Sequence, residues 1–180
     1  MRRALVCHAN TPCEAIVRID VDAGWGADGI DIRYFVRGAI LDVSIPAPSA
    51  PLRTDGLWQH TCFEAFVRAE QGEAYCEFNF SPSTAWAAYR FDDHRSGMRP
   101  IDKLPALPIA SEDTEIVLSL RATLPRRALA DWAGAGSIKL GLSAVIEERS
   151  GRKSYWALVH PPGDPDFHHR DCFALVLPAN

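Results

Sequence analysis

Two carboxylates and an amide stand at positions where they could act together. The segment HTCFEAFVRAEQGEAYCEFNFSPS runs from His60 to Ser83. Read with the two-residue period of a β-strand, Phe63 and Val67 take one parity of the first run, and Cys62, Glu64 and Phe66 take the other. In the second run Cys76, Phe78 and Phe80 alternate with Tyr75, Glu77 and Asn79. If the two runs pair antiparallel, one parity faces a core. The other sets Glu64, Glu77 and Asn79 side by side on a sheet face. Directly opposite residues then lie about 5 Å apart and diagonal ones about 7–8 Å. Two ionised carboxylates at that range repel, so a cation or a donor-rich ligand must compensate. Arg90, at the end of TAWAAYRF, is the candidate cation. Sugar hydroxyls are candidate ligand groups, because carboxylates and amides bond them well. Trp58 or Trp86 would supply the flat apolar surface on which a sugar ring packs. Trp58 shares the parity of Glu64 if the strand reaches back that far without a bulge. The same pair also suits a glycosidase, whose two carboxyls sit about 5–10 Å apart. A solvated polar face of an antiparallel sheet is the plainest explanation of all.

A second group of reactive side chains lies in HPPGDPDFHHRDCF, from His160 to Phe173. Prolines at 161, 162 and 165 stiffen it as a loop. Such a loop would present His160, His168 and His169 to a divalent metal, or would cap a ligand. No HExxH spacing occurs, and adjacent histidines seldom bind one ion, so a rigid hydrogen-bonded loop is equally open.

These residues need strands to position them, and the chain supplies strand after strand. Residues 15–23 and 29–38 alternate cleanly, and AILDVSI follows as another run. PAPSAPLRTDG must be a loop. The runs 57–69 and 73–80 are separated by EQG, a hairpin-length connection, and TAWAAYRF comes after the turn signal SPS. Residues 92–108 read as an irregular crossing, and residues 114–124 as a strong strand. PRRALADWAG, opening with Pro125 and closing with Gly134, suits one short helix. SIKLGLSAVIEE, SYWALVH and DCFALVLP read as three final strands. About ten strands with turns between them predict an all-β antiparallel β-sandwich with one short helix, a closed barrel being the alternative. No glycine fingerprint joins a strand to a helix, which excludes a Rossmann or P-loop reading.

With 180 residues, 47% of them hydrophobic, the chain has material for one sizeable domain spanning 1–180. A formal net charge of -4 and the lack of a basic run argue against nucleic acid. The five cysteines are odd in number and contain no CxxC, so a zinc ribbon is excluded and reduced, buried thiols are expected. Cys62 and Cys76 fall on opposite parities and should not bridge. No apolar run has signal-peptide or membrane-spanning length, which predicts a cytoplasmic protein without a membrane partner. Nothing here sets an oligomeric state.

The stretches GLWQHTCFEAFVRAEQGEAYCEFNFSPSTAWAAYRF, SGMRP and SYWALVHPPGDPDFHHRDCF resemble those of bacterial DOMON-like domain proteins, relatives of the family 9 carbohydrate-binding modules. EFNFSPS and HPPGDPDFHH carry the resemblance most strongly, and it extends over most of the chain. It implies an immunoglobulin-like β-sandwich. In the sugar-binding relatives a tryptophan precedes a glutamate by six positions, and Trp58 and Glu64 reproduce that spacing. Their next strand carries an arginine and, two residues on, an asparagine. Asn79 matches, but Glu77 stands where the arginine would be, an acceptor in place of a cationic donor. A second tryptophan completes an aromatic clamp in those relatives, and here Phe167 or His168 would substitute for it. Other DOMON domains hold haem between a methionine and a histidine, for which Met98 and His168 are the candidates. Some relatives bind calcium, for which Asp20, Asp22, Asp28 and Asp31 offer oxygens.

The expectation is a non-catalytic domain that binds a carbohydrate or a sugar-containing small molecule. Its contacts would be Trp58, Glu64, Glu77, Asn79, Arg90, Phe167, His168 and His169. No cofactor is expected, a haem-binding module and a glycoside hydrolase with paired glutamates being the alternatives.

Overall fold

The computed structural model describes residues 2–132 and 136–179, and for residues 130–132 the backbone alone. Twelve strands are found among the described residues. They are β1 (Arg2–Cys7), β2 (Ile16–Trp25), β3 (Gly29–Gly38), β4 (Cys62–Ala69), β5 (Tyr75–Phe80), β6 (Trp86–Phe91), β7 (Arg99–Pro100), β8 (Ile109–Asp113), β9 (Val117–Pro125), β10 (Ile138–Glu147), β11 (Lys153–Ala157) and β12 (Leu175–Leu177). All named strand pairs are antiparallel. The hydrogen-bonded order is β7-β6-β5-β4-β10-β11-β1-β2-β3-β9-β8, with β12 added on β10. Strand β1 serves both halves. Its first residues pair with β2, and Val6 and Cys7 pair with β11. The path therefore curls so that the β1-β2-β3-β9-β8 half faces the β6-β5-β4-β10-β11 half, as in a β-sandwich.

The alternation read from the sequence puts one parity of each strand into the space between the halves. Ile30, Ile32, Tyr34 and Val36 of β3 and Leu118, Leu120, Ala122 and Leu124 of β9 meet Phe63, Ala65, Val67, Phe78, Phe80, Leu140 and Leu142 from the other half. The Tyr34 hydroxyl crosses this core and donates to the Glu64 carbonyl at 2.7 Å, so its polar end is satisfied and β3 is tied to β4.

Several local expectations are corrected. AILDVSI forms a 3-10 turn at Ile40–Asp42, and the strand expected from Leu57 starts only at Cys62, after a 3-10 turn at Leu57–Gln59. The short helix after Pro125 is a 3-10 segment, Arg126–Trp132, and the expected end at Gly134 lies outside the described residues. DCFALVLP contributes only the three residues of β12, preceded by a 3-10 turn at Arg170–Cys172. Strands β1, β7 and β8 were not anticipated. The five cysteines are unbridged. Among the described residues no helix is long and apolar enough to cross a membrane.

The largest departure concerns the outer face of β4, β5 and β6. An antiparallel sheet ordinarily leaves such a face to water. Here nearly every residue of the three strands is buried on both sides. Phe66, Tyr75, Phe91, Val145, Phe167 and Phe173 form a second apolar cluster on this outer face, under the segment that runs from His160 to Phe173. Gly141 of β10 permits the close approach. A Cβ there would meet the Cys172 carbonyl oxygen at 3.2 Å and Phe66 Cβ at 3.4 Å.

Candidate functional site

The covered face carries the two carboxylates. Glu64 sits directly opposite Asn79 of β5 and Ser143 of β10, and Glu77 opposite Phe66 of β4 and Tyr89 of β6. Both are buried, with 3% and 6% of their surface exposed. Each has one oxygen supported from within the sheet. Ser143 Oγ donates to Glu64 Oε2 at 3.1 Å, and Asn79 Nδ2 donates to Glu77 Oε1 at 2.7 Å. Glu64 Oε1 and Glu77 Oε2 accept no hydrogen bond from the described residues.

Burial without a neutralising partner raises both carboxyls. Glu64 is pushed up to about 8, first by loss of water and then by the neighbouring Glu77 charge. Glu77 is also raised by burial, while the Asn79 hydrogen bond and Arg95 pull it back. Near neutral pH the pair therefore keeps a proton.

Above the pair lies a pocket of about 300 Å³. Its walls come from β6 (Phe91), β10 (Val145) and β11 (Tyr155), and from Trp58, Met98, Pro165 and Phe167 of the connections. Trp58 stands at the mouth, 40% exposed, edge-on to Tyr89 with ring centres 6.3 Å apart. The polar groups of the rim are fixed by a chain of hydrogen bonds. Arg95, at φ 52, donates its backbone N–H to Tyr75 Oη at 3.1 Å. Tyr75 Oη pairs with His168 Nδ1, 2.8 Å away, as donor or acceptor according to the His168 tautomer. His168 Nε2 lies 3.8 Å from Glu77 Oε2, so a proton on Nε2 would face the carboxylate. Burial and the nearby Arg95 charge lower the His168 pKa to about 4, so the ring is neutral. The Arg95 guanidinium is anchored on Asp166 Oδ1, at 3.1 Å from Nε and 2.9 Å from Nη2, while His94 Nε2 holds Asp166 Oδ2 at 2.8 Å.

Of the residues singled out in the sequence, Trp58, Glu64, Glu77, Phe167 and His168 line one pocket, with Asn79 supporting it from the floor. Arg90 does not join them. It alternates with Tyr89 and Phe91, pairs with Cys76, and so falls on the core-side parity of β6, where its charge acts on Cys76. The cation that acts on both carboxylates is Arg95. His169 is also outside the pocket, because its ring caps the 3-10 turn by accepting from the Asp171 N–H at 3.3 Å. His160 contacts the Val6 carbonyl through Nε2 at 2.8 Å. The three histidines of that loop thus face three different partners, and among the described residues no group of three or more His, Cys, Asp or Glu converges as metal ligands. Asp20 and Asp22 pair with Arg18 and Arg2, and Asp31 accepts from Thr123, so they do not converge either. Met98 lines the same pocket as His168.

Sequence reasoning missed Arg95, Tyr155 and Asp166. The last stood in a singled-out loop, but nothing local signals that it meets a residue 71 positions away.

No family model matches the sequence, and no curated protein sequence matches it. The likeness to known structures is one of fold. The crystal structure of an inferred carbohydrate-binding protein from Bacteroides uniformis superposes with a TM-score of 0.74 at 16% identity, over 99% of this chain and 85% of that one. A family 9 carbohydrate-binding module from Caldicellulosiruptor kristjanssonii, in complex with glucose, superposes with a TM-score of 0.48 at 10% identity, over 93% of this chain and 78% of that one.

Proposed function

We propose that this chain is a non-catalytic carbohydrate-binding domain, a DOMON-like relative of the family 9 modules, and that it binds a sugar or a sugar-containing small molecule in the pocket over Glu64 and Glu77. The observation that carries the reading is the pairing of two carboxyl oxygens that have no protein donor and open into the pocket with aromatic walls in one small concavity. Glu64 and Glu77 offer acceptors, and Arg95 offers donors. Trp58 and Tyr155 offer flat apolar surface, and a pyranose needs all three. The inferred role of the Bacteroides uniformis protein with the same fold agrees with this reading.

The alternatives are weaker. A haem held between Met98 and His168 would set its macrocycle over the two buried carboxyls, in the pocket of about 300 Å³ that Met98 and His168 line together. A glycosidase would need its two carboxyls on opposite sides of a bond, whereas these rise from neighbouring strands of one floor.

The test is a thermal-shift and calorimetric screen against mono- and oligosaccharides, sugar nucleotides and haemin. A ligand at about 100 times its Kd stabilises by about 2.7 kcal/mol, a rise of about 5–10 °C for a domain of this size. One sugar class should give that rise, and Trp58→Ala should weaken it about tenfold. Binding unchanged in Trp58→Ala and Glu77→Gln would remove the ligand from this pocket. A Soret band with haemin and no response to sugars would replace the sugar with haem.

A further inference from the structure

The charge balance of the pocket narrows the ligand further, on the condition that the sugar-binding reading holds. Two carboxyl groups, each more than nine-tenths buried, turn one unsatisfied oxygen apiece toward the cavity, Glu64 Oε1 and Glu77 Oε2. The charged and titratable groups around them come from every element that covers the site. Asp166 and Arg95 neutralise each other, with His94 on the outer side of Asp166. His168 faces Glu77 as a neutral ring, and Tyr75 and Tyr89 are occupied with His168 and Asp55. Ser143 and Val145 bring no charge from β10. The walls therefore add no net cation, and the floor keeps two buried carboxyls without one.

A carboxylate charge buried there costs several kcal/mol unless it is paired and hydrogen-bonded. A neutral sugar would leave it unpaired and would find the pair still holding a proton. A primary ammonium has three N–H donors on one charged centre, enough to meet both free oxygens at once. The aromatic walls also accept a cation at their faces.

We infer that the ligand is an amino sugar, its ammonium seated between Glu64 and Glu77 and its ring against Trp58 and Tyr155. On binding, the O–H bond of the carboxyl that holds the pair's proton breaks and the proton leaves to solvent as the carboxylate pairs with the ammonium. One proton is released per ligand bound, and no other bond changes.

The test is isothermal calorimetry at pH 6.5, run in two buffers of different ionisation enthalpy, with glucosamine, N-acetylglucosamine, glucose and ethanolamine as probes. At that pH an amine titrating near the α-amino range, about 7.7–8.0, is charged. Glucosamine should bind about tenfold or more tightly than glucose and N-acetylglucosamine and release close to one proton. Glu77→Gln and Glu64→Gln, which keep the side-chain shape, should abolish that preference while glucose still binds. Glucose binding as tightly as glucosamine, without proton release, would overturn the amine while leaving the sugar reading standing. Ethanolamine binding as tightly as glucosamine, or no response to any sugar, would overturn both.

Discussion

The two outer faces of the sandwich carry similar charges and treat them in opposite ways. On the β1-β2-β3 side, Arg2 and Arg33 lie over the Phe35 ring at 4.3 and 4.6 Å, and Arg2 meets Asp22 at 2.8 Å. The face is open, both partners of the Arg2–Asp22 pair are well exposed, and water solvates whatever they leave unpaired. On the β4-β5-β6 side, Glu64 and Glu77 have only a serine and an amide as hydrogen-bond donors, and a covering segment removes the water. The nearest guanidinium is held by Asp166. The first face is what an antiparallel sheet does by default. The second keeps charge out of water without a matched cation, which a stable fold tolerates only where something else supplies the partner. The number of charged residues does not separate the faces. The cover over one of them does.

The sharpest way to break this contrast is to delete an aromatic from each face. Phe66 packs against Phe173 and His168 at ring distances of 6.2 and 5.1 Å and is fully buried. Phe66→Ala should cost about 3–5 kcal/mol in urea unfolding, and Phe35→Ala on the open face about 1 kcal/mol or less. Equal costs would mean that the cover over Phe66 does not exclude water.

The second contrast is in pH. Glu64 has a folded pKa of about 8 against an ordinary value of 4.5. The folded state then binds more protons than the unfolded state between these values, and stability falls as pH rises through that window. His168, lowered to about 4 from 6.5, acts oppositely: its contribution is present above 6.5 and lost as pH falls toward 4. Between pH 6.5 and 8 the Glu64–Glu77 pair governs the slope. The wild type should lose about 2 kcal/mol over that interval, and Glu64→Gln should lose little. Asp22→Asn on the open face should leave the slope as in the wild type. The measurement is urea unfolding at the two pH values.

A smaller effect is expected at Tyr75, whose hydroxyl links the Arg95 backbone to His168. Tyr75→Phe should cost about 1 kcal/mol of stability. It should also weaken sugar binding, because Arg95 and His168 lose their common anchor. Binding that stays at wild-type strength would show that the rim is held by Asp166 alone.

How much of this was legible follows from the range of each signal. The pairing of Glu64 with Asn79 and of Phe66 with Glu77 lies within one hairpin, and its alternation is written in consecutive residues. Arg90 was assigned to the wrong face although the same alternation carried through β6 puts it opposite Cys76, on the core side. The cover was not legible. Arg95 reaches the site through a left-handed backbone turn, and its partner Asp166 comes from a loop distant in sequence. The polar face was therefore expected to be either solvated or a ligand site, because burial of the outer parity depends on contacts that no local period records. Strand β1 was overlooked for a related reason: RRALVC is short and mostly exposed, and is a strand only because β2 and β11 both pair with it.

The smallest effect gives the cleanest comparison, because its sign differs between the faces. A double-mutant cycle on Arg2 and Asp22 should return a favourable coupling of about 0.2–1 kcal/mol, as exposed ion pairs do. At 1 M salt, where the Debye length is about 3 Å, that coupling should vanish. The corresponding cycle on Glu64→Gln and Glu77→Gln, measured at pH 8.5 where both carboxyls bear more charge, should return an unfavourable coupling between the wild-type residues. It should persist at high salt, because ions cannot enter between groups this deeply buried. A pocket coupling that salt removes as readily as it removes the Arg2–Asp22 pair would mean that the carboxylates are wet. The two faces would then differ in composition alone, and the need for a cationic partner over Glu64 and Glu77 would disappear.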